Sequence, residues 1–353
     1  MSKSDSIIDL CIIGGGLAGL TLAYRALKEN LNILLLDHPF EGTASKVSGG
    51  VMNPITGKRY VKTWQWDLLK DHFEILYKEL EETLCESFFH EIQIIQSLEN
   101  PEQENQWIAR SGQDEYAQLI SWASSVEQLP IQNERLSFGI IHRAYQLEID
   151  KLLTLLTDFL KAKNVFHTER FRHQEMEFKE NKWTYKGIAP RLGFVFAEGY
   201  KVSENPFFQE LPHFAVKGQR SIVEGQLKFE GIYKSSYSLC KINGNRFWCG
   251  SNYEFQNRDC SINKSEKAQK KKFLEKLLGT ENSILQELVG IRPAMKDRRP
   301  AIGTHKIYSD IHLFNGMGTK GSSLIPYCIH VFLSFLLKNE PIPKEINLNR
   351  FYF

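Results

Sequence analysis

The sequence lacks the features that would assign it directly to several common classes of protein. Its six cysteines are scattered and form no C-x-x-C pair, which argues against a zinc site, an iron–sulfur cluster or a disulfide framework and fits a reducing cytoplasm. Lysines and arginines number 44 against 42 aspartates and glutamates, so no overall field favours a nucleic acid or an acidic lipid surface. We therefore expect a cytoplasmic protein, and the charge balance argues against a nucleic-acid partner without excluding one.

Long apolar runs are also missing. The first ten residues, MSKSDSIIDL, contain no signal-peptide core, and the apolar stretch 325–337 is interrupted by Pro326, His330 and Ser334. That stretch is shorter than the roughly 20 residues that a membrane span needs. No convincing Ser/His/Asp arrangement or metal-ligating cluster is visible either. We predict no membrane span, no metal site and no protein nucleophile.

A glycine-rich turn near the N-terminus is the most informative feature present. The apolar run 7–13 ends in three glycines at the G-x-G-x-x-G spacing: Gly14, Gly16 and Gly19. A helical pattern follows at once, from Leu20 to Leu27. In a strand–turn–helix unit of this kind the glycines let the backbone approach a pyrophosphate, and the helix N-terminus favours its negative charge. The turn predicts a bound dinucleotide.

Two further features extend this prediction. A second apolar run, 32–36, ends in Asp37, which lies about 20 residues beyond the glycines, where a carboxylate can accept hydrogen bonds from ribose hydroxyls. A second glycine-rich loop, 315–321, follows a predicted strand near the C-terminus. A nicotinamide-binding unit needs only the first loop, so the second favours a longer ligand such as FAD, whose ring system would reach the C-terminal loop.

The order of segments predicts a mixed α/β fold in which a Rossmann-like FAD-binding domain carries an inserted antiparallel β-sheet substrate domain. We assign residues 1–90, 145–212 and 290–353 to the FAD-binding domain, and residues 91–144 and 213–289 to the substrate domain. Residues 64–84 have the spacing of an amphipathic helix, and residues 99–144 read as strands and loops. The lysine-rich run 264–272 reads as the solvated face of a helix.

Five short motifs follow one another along almost the whole chain. They are GGGLAG with Asp37, TASKVSGGVMNP at 43–54, VKGQ at 216–219, VGIRPAMKDRRPAIG at 289–303 and FNGMGTKGSS at 314–323. Together they resemble the FAD-dependent D-amino acid oxidase superfamily, especially its glycine/sarcosine oxidase branch. The resemblance implies oxidation of a small amino acid or amine, with FAD as the cofactor and dioxygen as one candidate electron acceptor.

The resemblance also implies which residues contact the cofactor. Those at the N-terminal turn would bind the pyrophosphate and ribose, those around residue 50 would pass close to the flavin, and those before residue 323 would face its pyrimidine ring. The implied set is Gly14, Gly16, Leu17, Ala18, Gly19, Asp37, His38, Ser45, Gly49, Gly50, Val51, Phe171, Ala197, Gly199, Arg292, Gly318, Thr319, Lys320, Gly321 and Ser322.

Arg292 is the main candidate catalytic residue. The resemblance implies that its guanidinium forms a bidentate pair with the substrate carboxylate, which would hold the substrate for hydride transfer to the flavin N5 atom. The alternative is a structural arginine paired with an acid such as Asp297. Lys58 and Arg59, in the loop beside the flavin segment, and Tyr237, on a predicted strand, are further candidate substrate residues.

Three positions depart from the pattern of the family. The cysteine that attaches flavin covalently in sarcosine oxidases corresponds to Gly290, so we predict non-covalent FAD. The lysine that serves oxygen activation in that branch corresponds to about Trp248, so a dehydrogenase remains an alternative to an oxidase. The histidine of the C-terminal glycine motif is replaced by Met317.

Three other functions remain open at this point. The motif at 289–303 also resembles the oxidase domain of the bifunctional tRNA wobble-uridine modification enzyme, in which the same arginine would hold a glycine-like side chain. A flavoprotein with a binding role only would contain flavin that no amine reduces. An NAD-dependent dehydrogenase would leave the C-terminal glycine loop unexplained.

Overall fold

The computed structural model describes residues 7–126, 137–227, 230–255, 257–279 and 281–352. Seven α-helices lie within these residues: α1 (Leu17–Lys28), α2 (Ala44–Val47), α3 (Trp66–Leu84), α4 (Pro101–Ser111), α5 (Ile149–Ala162), α6 (Lys264–Leu278) and α7 (Gly321–Lys338). The described β-strands are β1 (Leu10–Ile13), β2 (Ile33–Asp37), β3 (Val51–Met52), β4 (Ile55–Thr56), β5 (Val61–Lys62), β6 (Phe89–Leu98), β7 (Ile120–Ala123), β8 (Ser137–Leu147), β9 (Phe166–Thr168), β10 (Met176–Lys179), β11 (Lys182–Tyr185), β12 (Gly193–Phe196), β13 (His213–Glu224), β14 (Ile232–Lys234), β15 (Ser238–Asn243), β16 (Arg246–Gly250), β17 (Glu254–Phe255), β18 (Ser283–Met295), β19 (Ala301–Thr304) and β20 (Ile311–Asn315). Short 3-10 helices cover Asp114–Tyr116, His173–Glu175, Gly199–Glu204 and Leu348–Phe351.

A six-stranded sheet carries the N-terminal glycine turn. Its strand order is β19-β20-β12-β1-β2-β9, and all pairs are parallel except β19 with β20. The apolar runs of β1 and β2 are almost entirely buried, as expected for parallel strands that are covered on both faces. This is the mixed α/β, Rossmann-like arrangement that the sequence predicts.

Alternate residues of the central strands enter two different cores. Leu10 and Ile12 of β1 pack with α1, α3, α5 and α7 on one face. Cys11 and Ile13 pack on the other face, where the β10–β11 hairpin and the C-terminal residues cover the sheet. This alternation follows from the period of two in a β-strand. The glycine turn follows β1 directly and therefore lies at the carboxyl edge of the sheet.

A second, larger sheet forms the other half of the fold. Its main strand order is β17-β13-β16-β15-β14-β6-β8-β3, with β18 paired to β13 and β7 paired to β8. The longest ladder joins β13 to β18 in antiparallel register. The described pairs of this sheet are antiparallel except for β14 with β6, which is parallel. The sheet is therefore mixed rather than purely antiparallel.

Several segments differ from the sequence-based expectations. Three predicted domain boundaries, at 90/91, 144/145 and 289/290, fall inside β6, β8 and β18, because each strand continues through the boundary without a turn signal. Residues 127–136 of the predicted substrate domain lie outside the described residues. The division into two domains stays a prediction.

Two helices carry further differences. The segment 99–144, predicted as strands and loops, contains α4, which Asn100 caps by accepting a hydrogen bond from the Gln103 N–H at 3.0 Å. Pro101 follows at the first helical position, where it is favoured. In α6, the lysine run is not wholly solvated, because Lys270 is fully buried.

Helix α7 is the most apolar helix of the described chain. By length and composition alone it could cross a membrane, with a mean hydropathy of 1.3 over its 18 residues. However, 61% of this window is buried, and its apolar residues share a core with α1 and α3. Packing inside the protein therefore accounts for its composition.

Candidate active site

A cavity of about 1110 Å³ lies between the two sheets. One side is formed by the carboxyl ends of the parallel strands: the residues that follow β1, β2, β12 and β20 all line it. This edge is where open α/β sheets bind their ligands. The volume exceeds the range of roughly 300–1,000 Å³ that is typical of small-molecule pockets, so the cavity suits an elongated ligand together with a second, smaller one.

The opposite wall is one face of the larger sheet. On each of four strands the cavity-lining residues are two positions apart, so their side chains point to the same face. They are Ile232 and Lys234 on β14, Trp248 and Gly250 on β16, Gly218 and Arg220 on β13, and Gly290 and Arg292 on β18. The sheet therefore presents aromatic, cationic and small residues to the edge of the other sheet.

Close backbone packing explains the glycine spacing at the N-terminal turn. Gly14 has φ +111°, and a Cβ there would come within 2.5 Å of the Ala197 carbonyl oxygen. A Cβ at Gly19 would lie 1.8 Å from the carbonyl oxygen of Gly14. The first and third glycines thus allow α1 to cross β1 closely, which directs the N-terminus of α1 into the cavity.

Side chains on either side of this turn hold it in place. The Gly15 N–H donates to Asp37 Oδ1 at 2.7 Å, and the Leu17 N–H donates to Ser45 Oγ at 3.0 Å. The first turn of α1 contains no acidic residue, so its N–H groups other than that of Leu17, which have no partner within the helix, are available to an anion. The turn fits a diphosphate, with Asp37 beside it at the end of β2.

A second helix N-terminus faces the same cavity. Helix α7 begins at Gly321 with no acidic residue in its first turn and no side-chain cap. The loop before it lines the cavity through Gly318, Thr319 and Lys320. Two helix N-termini at one cavity give two separate regions that favour negative charge. This arrangement fits the FAD predicted from the sequence, in which the ribityl chain separates the diphosphate from the flavin ring system.

Arg292 lies on β18 beside the loop before α7, since the Gly318 N–H donates to the Pro293 carbonyl oxygen at 2.9 Å. Its Nη1 donates to the Asn252 carbonyl oxygen at 3.2 Å and to the Lys217 carbonyl oxygen at 3.4 Å, and its Nη2 donates to the Ser251 hydroxyl. The guanidinium carbon lies 4.6 Å from the centre of the Tyr253 ring. Burial lowers the pKa of Arg292, and Tyr253 opposes this effect. A cation is thus held in a poorly solvated place by neutral groups.

Arg292 does not pair with Asp297, the acid named in the alternative structural role of this arginine. Asp297 pairs with Arg350 instead, at 2.7 Å from Nε to Oδ2, and no acid pairs with Arg292 among the described residues. The glycine of VKGQ accounts for the position of the guanidinium, since a Cβ at Gly218 would come within 2.3 Å of Arg292 Nη2. Arg292 therefore remains available to an anion in the cavity.

Other cations also line the cavity. Burial lowers the pKa of Lys320 to about 8, with further repulsion from Arg299 and Lys234, and burial lowers the pKa of Lys234. Burial also lowers the pKa of Arg220, against the effect of Asp150. The lining cations are Lys46, Lys58, Arg59, Arg220, Lys234, Arg292, Arg298 and Lys320, and the lining acids are Asp37, Glu102 and Glu198. The described part of the cavity is therefore positive.

Most of the residues predicted from the sequence meet at this cavity. Those that line it are Gly14, Gly16, Leu17, Ala18, Asp37, His38, Ser45, Gly49, Val51, Lys58, Arg59, Ala197, Gly199, Tyr237, Arg292, Gly318, Thr319, Lys320, Gly321 and Ser322. Tyr237 lies in the turn between β14 and β15 rather than on a strand. Its contact with ligand stays a prediction, as do the individual roles of the others.

Three predicted residues are not among the lining residues. Gly19 and Gly50 serve packing, because a Cβ on either would lie 1.8 Å from a backbone oxygen, of Gly14 and Leu147 respectively. The Phe171 ring packs against Tyr185, with ring centres 4.3 Å apart. The predicted contacts of these three residues with the cofactor stay predictions.

Several residues of the sheet wall were not predicted from the sequence. Arg220, Lys234, Ser251 and Tyr253 line the cavity, and none belongs to a glycine-rich motif. The alternation of residues along β13 and β14 could have shown which side chains share a face. It could not have shown which strands are neighbours.

Comparison with known proteins gives the same assignment. The chain matches the DAO family model, described as FAD dependent oxidoreductase, over residues 9–332. Among similar solved structures, glycine oxidase from Geobacillus kaustophilus has a TM-score of 0.79 at 16% identity, covering 95% of each chain. Iminodiacetate oxidase from Chelativorans sp. BNC1 has a TM-score of 0.77 at 16% identity, covering 97% of this chain and 98% of that one. L-proline dehydrogenase from P. horikoshii has a TM-score of 0.76 at 15% identity, covering 95% of each chain. These likenesses show a shared fold.

The family match covers most of the chain, and its cofactor fits the cavity that the two sheets enclose. FAD is accordingly the cofactor of this protein, which is an oxidoreductase. The chain belongs to the DAO family of FAD-dependent oxidoreductases.

Proposed function

We propose that this protein oxidises the C–N bond of an amino acid or an N-substituted glycine, with Arg292 binding the substrate carboxylate. When bound, FAD supplies the acceptor for the hydride, and with it the two electrons, that leaves the substrate carbon, while the substrate nitrogen gives up a proton. The substrate becomes an imine, which water then hydrolyses to a carbonyl compound and an amine. No protein nucleophile is required, because positioning of the substrate is the main contribution of the chain.

The observation that carries this proposal is the partly buried guanidinium of Arg292 without an acidic partner. A buried charge without a counter-charge is unfavourable, and a planar guanidinium matches a carboxylate in two parallel hydrogen bonds. Because Arg292 lines the same cavity as the two helix N-termini, a carboxylate bound there would place the rest of the substrate between the sheet wall and the cofactor. Tyr253 and Ser251 hold the guanidinium for this contact.

The names of similar structures support the same substrate class. Glycine oxidase, iminodiacetate oxidase and L-proline dehydrogenase are all named for substrates that contain an amine and a carboxylate. We also propose that FAD is held without a covalent bond, since Gly290 has no thiol and no cysteine occurs among the described residues that line the cavity. Trp248 occupies the position predicted for an oxygen-activating lysine, which favours an acceptor other than dioxygen.

The test is an anaerobic absorbance titration of the purified flavoprotein with amino acids and N-alkyl glycines. We expect at least one compound to bleach the flavin, an oxo acid or aldehyde to appear as product, and acid precipitation to release the flavin. Readmission of air then separates an oxidase, which recolours quickly, from a dehydrogenase. A yellow protein that no amine reduces would contradict the proposal.

A further inference from the structure

Two lysines in the cavity remain without an assigned partner. Lys234 ends β14 in the sheet wall, and Lys320 precedes α7 on the opposite side. Lys320 Nζ donates to Thr63 Oγ1 at 3.0 Å. Neither lysine forms an ion pair with an acid within the described ranges, whereas the buried Lys270 lies 3.0 Å from Glu287. The contrast indicates that the two cavity lysines serve a ligand rather than the fold.

The electrostatics of the pair support this interpretation. The charge of Lys234 is one of the causes that lower the pKa of Lys320, so the two ammonium groups act on the same region of the cavity. Burial lowers the pKa of both groups. Two cations that repel each other without an acid between them are costly to keep, and an anionic ligand would relieve that cost.

The positions of the lysines separate their roles. Lys320 lies beside the N-terminus of α7, the region that fits the negatively charged end of the flavin ring system. Lys234 lies on the same face of the larger sheet as Arg292, and the order β18-β13-β16-β15-β14 places four strand spacings between them. At about 4.8 Å per spacing, the two strands are roughly 19 Å apart. We therefore expect Arg292 and Lys234 to bind two different acidic groups.

We propose that the substrate carries a second acidic group, distal to the carboxylate held by Arg292, and that the Lys234 ammonium binds it. This inference rests on the proposed oxidation of an amino acid or N-substituted glycine. Hydrogen-bonding groups surround Lys234, since Gln96, Ser235 and Ser238 also line the cavity. The substrate is thus either a glycine whose nitrogen substituent ends in a carboxylate or a phosphate, or an amino acid whose side chain ends in one of these groups.

The cavity entrance is positively charged, which suits an acidic substrate. Lys58 and Arg59 are exposed in the turn between β4 and β5 and line the cavity. No ion pair joins either of them to an acid in the part of the chain that the structure describes. Exposed cations at the mouth of a cleft raise the association rate of anionic ligands. An acidic substrate would therefore be attracted at the entrance and bound by Lys234 inside.

The test uses the flavin-loaded protein and a series of N-(ω-carboxyalkyl)glycines with two to six methylene groups. Each acid is paired with its terminal amide, and a phosphonate series distinguishes a phosphate-bearing substrate from a dicarboxylic one. We expect the best acid or phosphonate to exceed its neutral analogue at least tenfold in kcat/KM. In Lys234→Met that preference should fall at least tenfold, while the exposed control Lys272→Met on α6 keeps it.

A charge reversal makes the test specific for Lys234. In Lys234→Glu, the preference should move toward glycines with a terminal amine at the distal position. Equal kcat/KM for acid and amide in the wild type, or an unchanged acid preference in Lys234→Met, would overturn the inference. In either case the proposed oxidation would stand, because the neutral analogues would still be substrates.

Binding gives a second readout that does not require turnover. Titration of the same compounds against the flavin absorbance reports affinity even when no oxidation follows. Tighter binding of the acids by the wild type, lost in Lys234→Met, supports the inference. Equal affinities of acids and amides overturn it. The absence of flavin reduction by any compound would instead count against the proposed function.

Discussion

At the scale of single residues, a buried lysine and a partly buried arginine differ in their partners, and therefore in whether they stabilise the fold or bind a ligand. Lys270 is fully buried, and its Nζ lies 3.0 Å from Glu287 Oε2 and 2.6 Å from Ser221 Oγ. Arg292 has only neutral hydrogen-bond partners among the described residues. Removal of one partner of a buried ion pair is costly because the other charge stays buried without a counter-charge. Removal of an unpaired charge loses hydrogen bonds but also ends the unfavourable desolvation of that charge.

We predict that Lys270→Met destabilises the protein strongly. The substitution leaves the Glu287 carboxylate buried without its counter-charge, and such a change costs about 3–5 kcal/mol of unfolding free energy. Urea denaturation measures it, with Lys272→Met on the exposed side of the same helix as the control. If both variants unfold at the same urea concentration, the ion pair does not stabilise this fold.

We predict that Arg292→Met leaves the flavin-free protein nearly as stable as the wild type. The hydrogen bonds that are lost contribute about 1.5–3 kcal/mol each because their donor is charged, but the removal of a poorly solvated charge without a counter-charge offsets them, since such a charge costs several kcal/mol. The net change in unfolding free energy should stay within about 1 kcal/mol, measured by urea denaturation. A loss as large as that of Lys270→Met would show that Arg292 is structural.

Lys320 gives a pH dependence whose sign is fixed by its environment. Its pKa falls from 10.5 to about 8 on folding, first through burial and then through repulsion by Arg299 and Lys234. Between these values the unfolded chain binds more protons than the folded one, so this residue makes the folded state more stable as the pH rises from 8 to 10.5. Below pH 8 the full cost of the buried charge remains.

We therefore predict that Lys320→Met removes this rise in stability. The unfolding free energy is measured for the flavin-free wild type and variant at several pH values from 7 to 10. The difference between the two proteins gives the contribution of Lys320. The variant should gain most relative to the wild type below pH 8, and the difference should shrink toward pH 10. Parallel profiles for the two proteins would show that Lys320 is well solvated.

At the scale of elements, the unit β1–turn–α1 depends on the close approach of Gly19 to Gly14. A Cβ at Gly19 would meet backbone rather than a movable side chain, so the helix itself would have to shift. We predict that Gly19→Ala costs about 1–3 kcal/mol of unfolding free energy or more and lowers the flavin content. In the control Gly112→Ala, the added Cβ would have its nearest neighbour at 3.9 Å. Normal flavin content in Gly19→Ala would contradict this account of the turn.

Element prediction from the sequence was successful where the signals are local. The glycine turn, the apolar runs of β1 and β2 and the helix α3 each produce a pattern within a few residues. Helix α4 was missed although Asn100 and Pro101 carry a start signal, because the polar helix that follows has only one buried residue, Trp107. Helix-start residues alone do not predict a helix when the segment that follows has no apolar face.

At the scale of the whole molecule, the sequence predicted one wall of the site far better than the other. The turn residues, Asp37 and the loop before α7 meet because parallel strands end at one edge. Lys234 and Tyr253 join Arg292 only through the order of strands in the larger sheet. That order depends on pairing between residues far apart in the chain, which no local pattern contains. The cationic sheet wall therefore emerged only from the structure.

The pairing of Arg292 with the substrate carboxylate is the central claim of the proposed function. The most direct measurement is the anaerobic rate of flavin reduction, divided by the dissociation constant, for the best substrate and for its carboxamide. In the wild type the amide should be about 100-fold worse or more, because a bidentate charge-assisted pair is lost. In Arg292→Met the acid and the amide should react within about threefold of each other. An acid preference that survives in Arg292→Met would contradict the central claim.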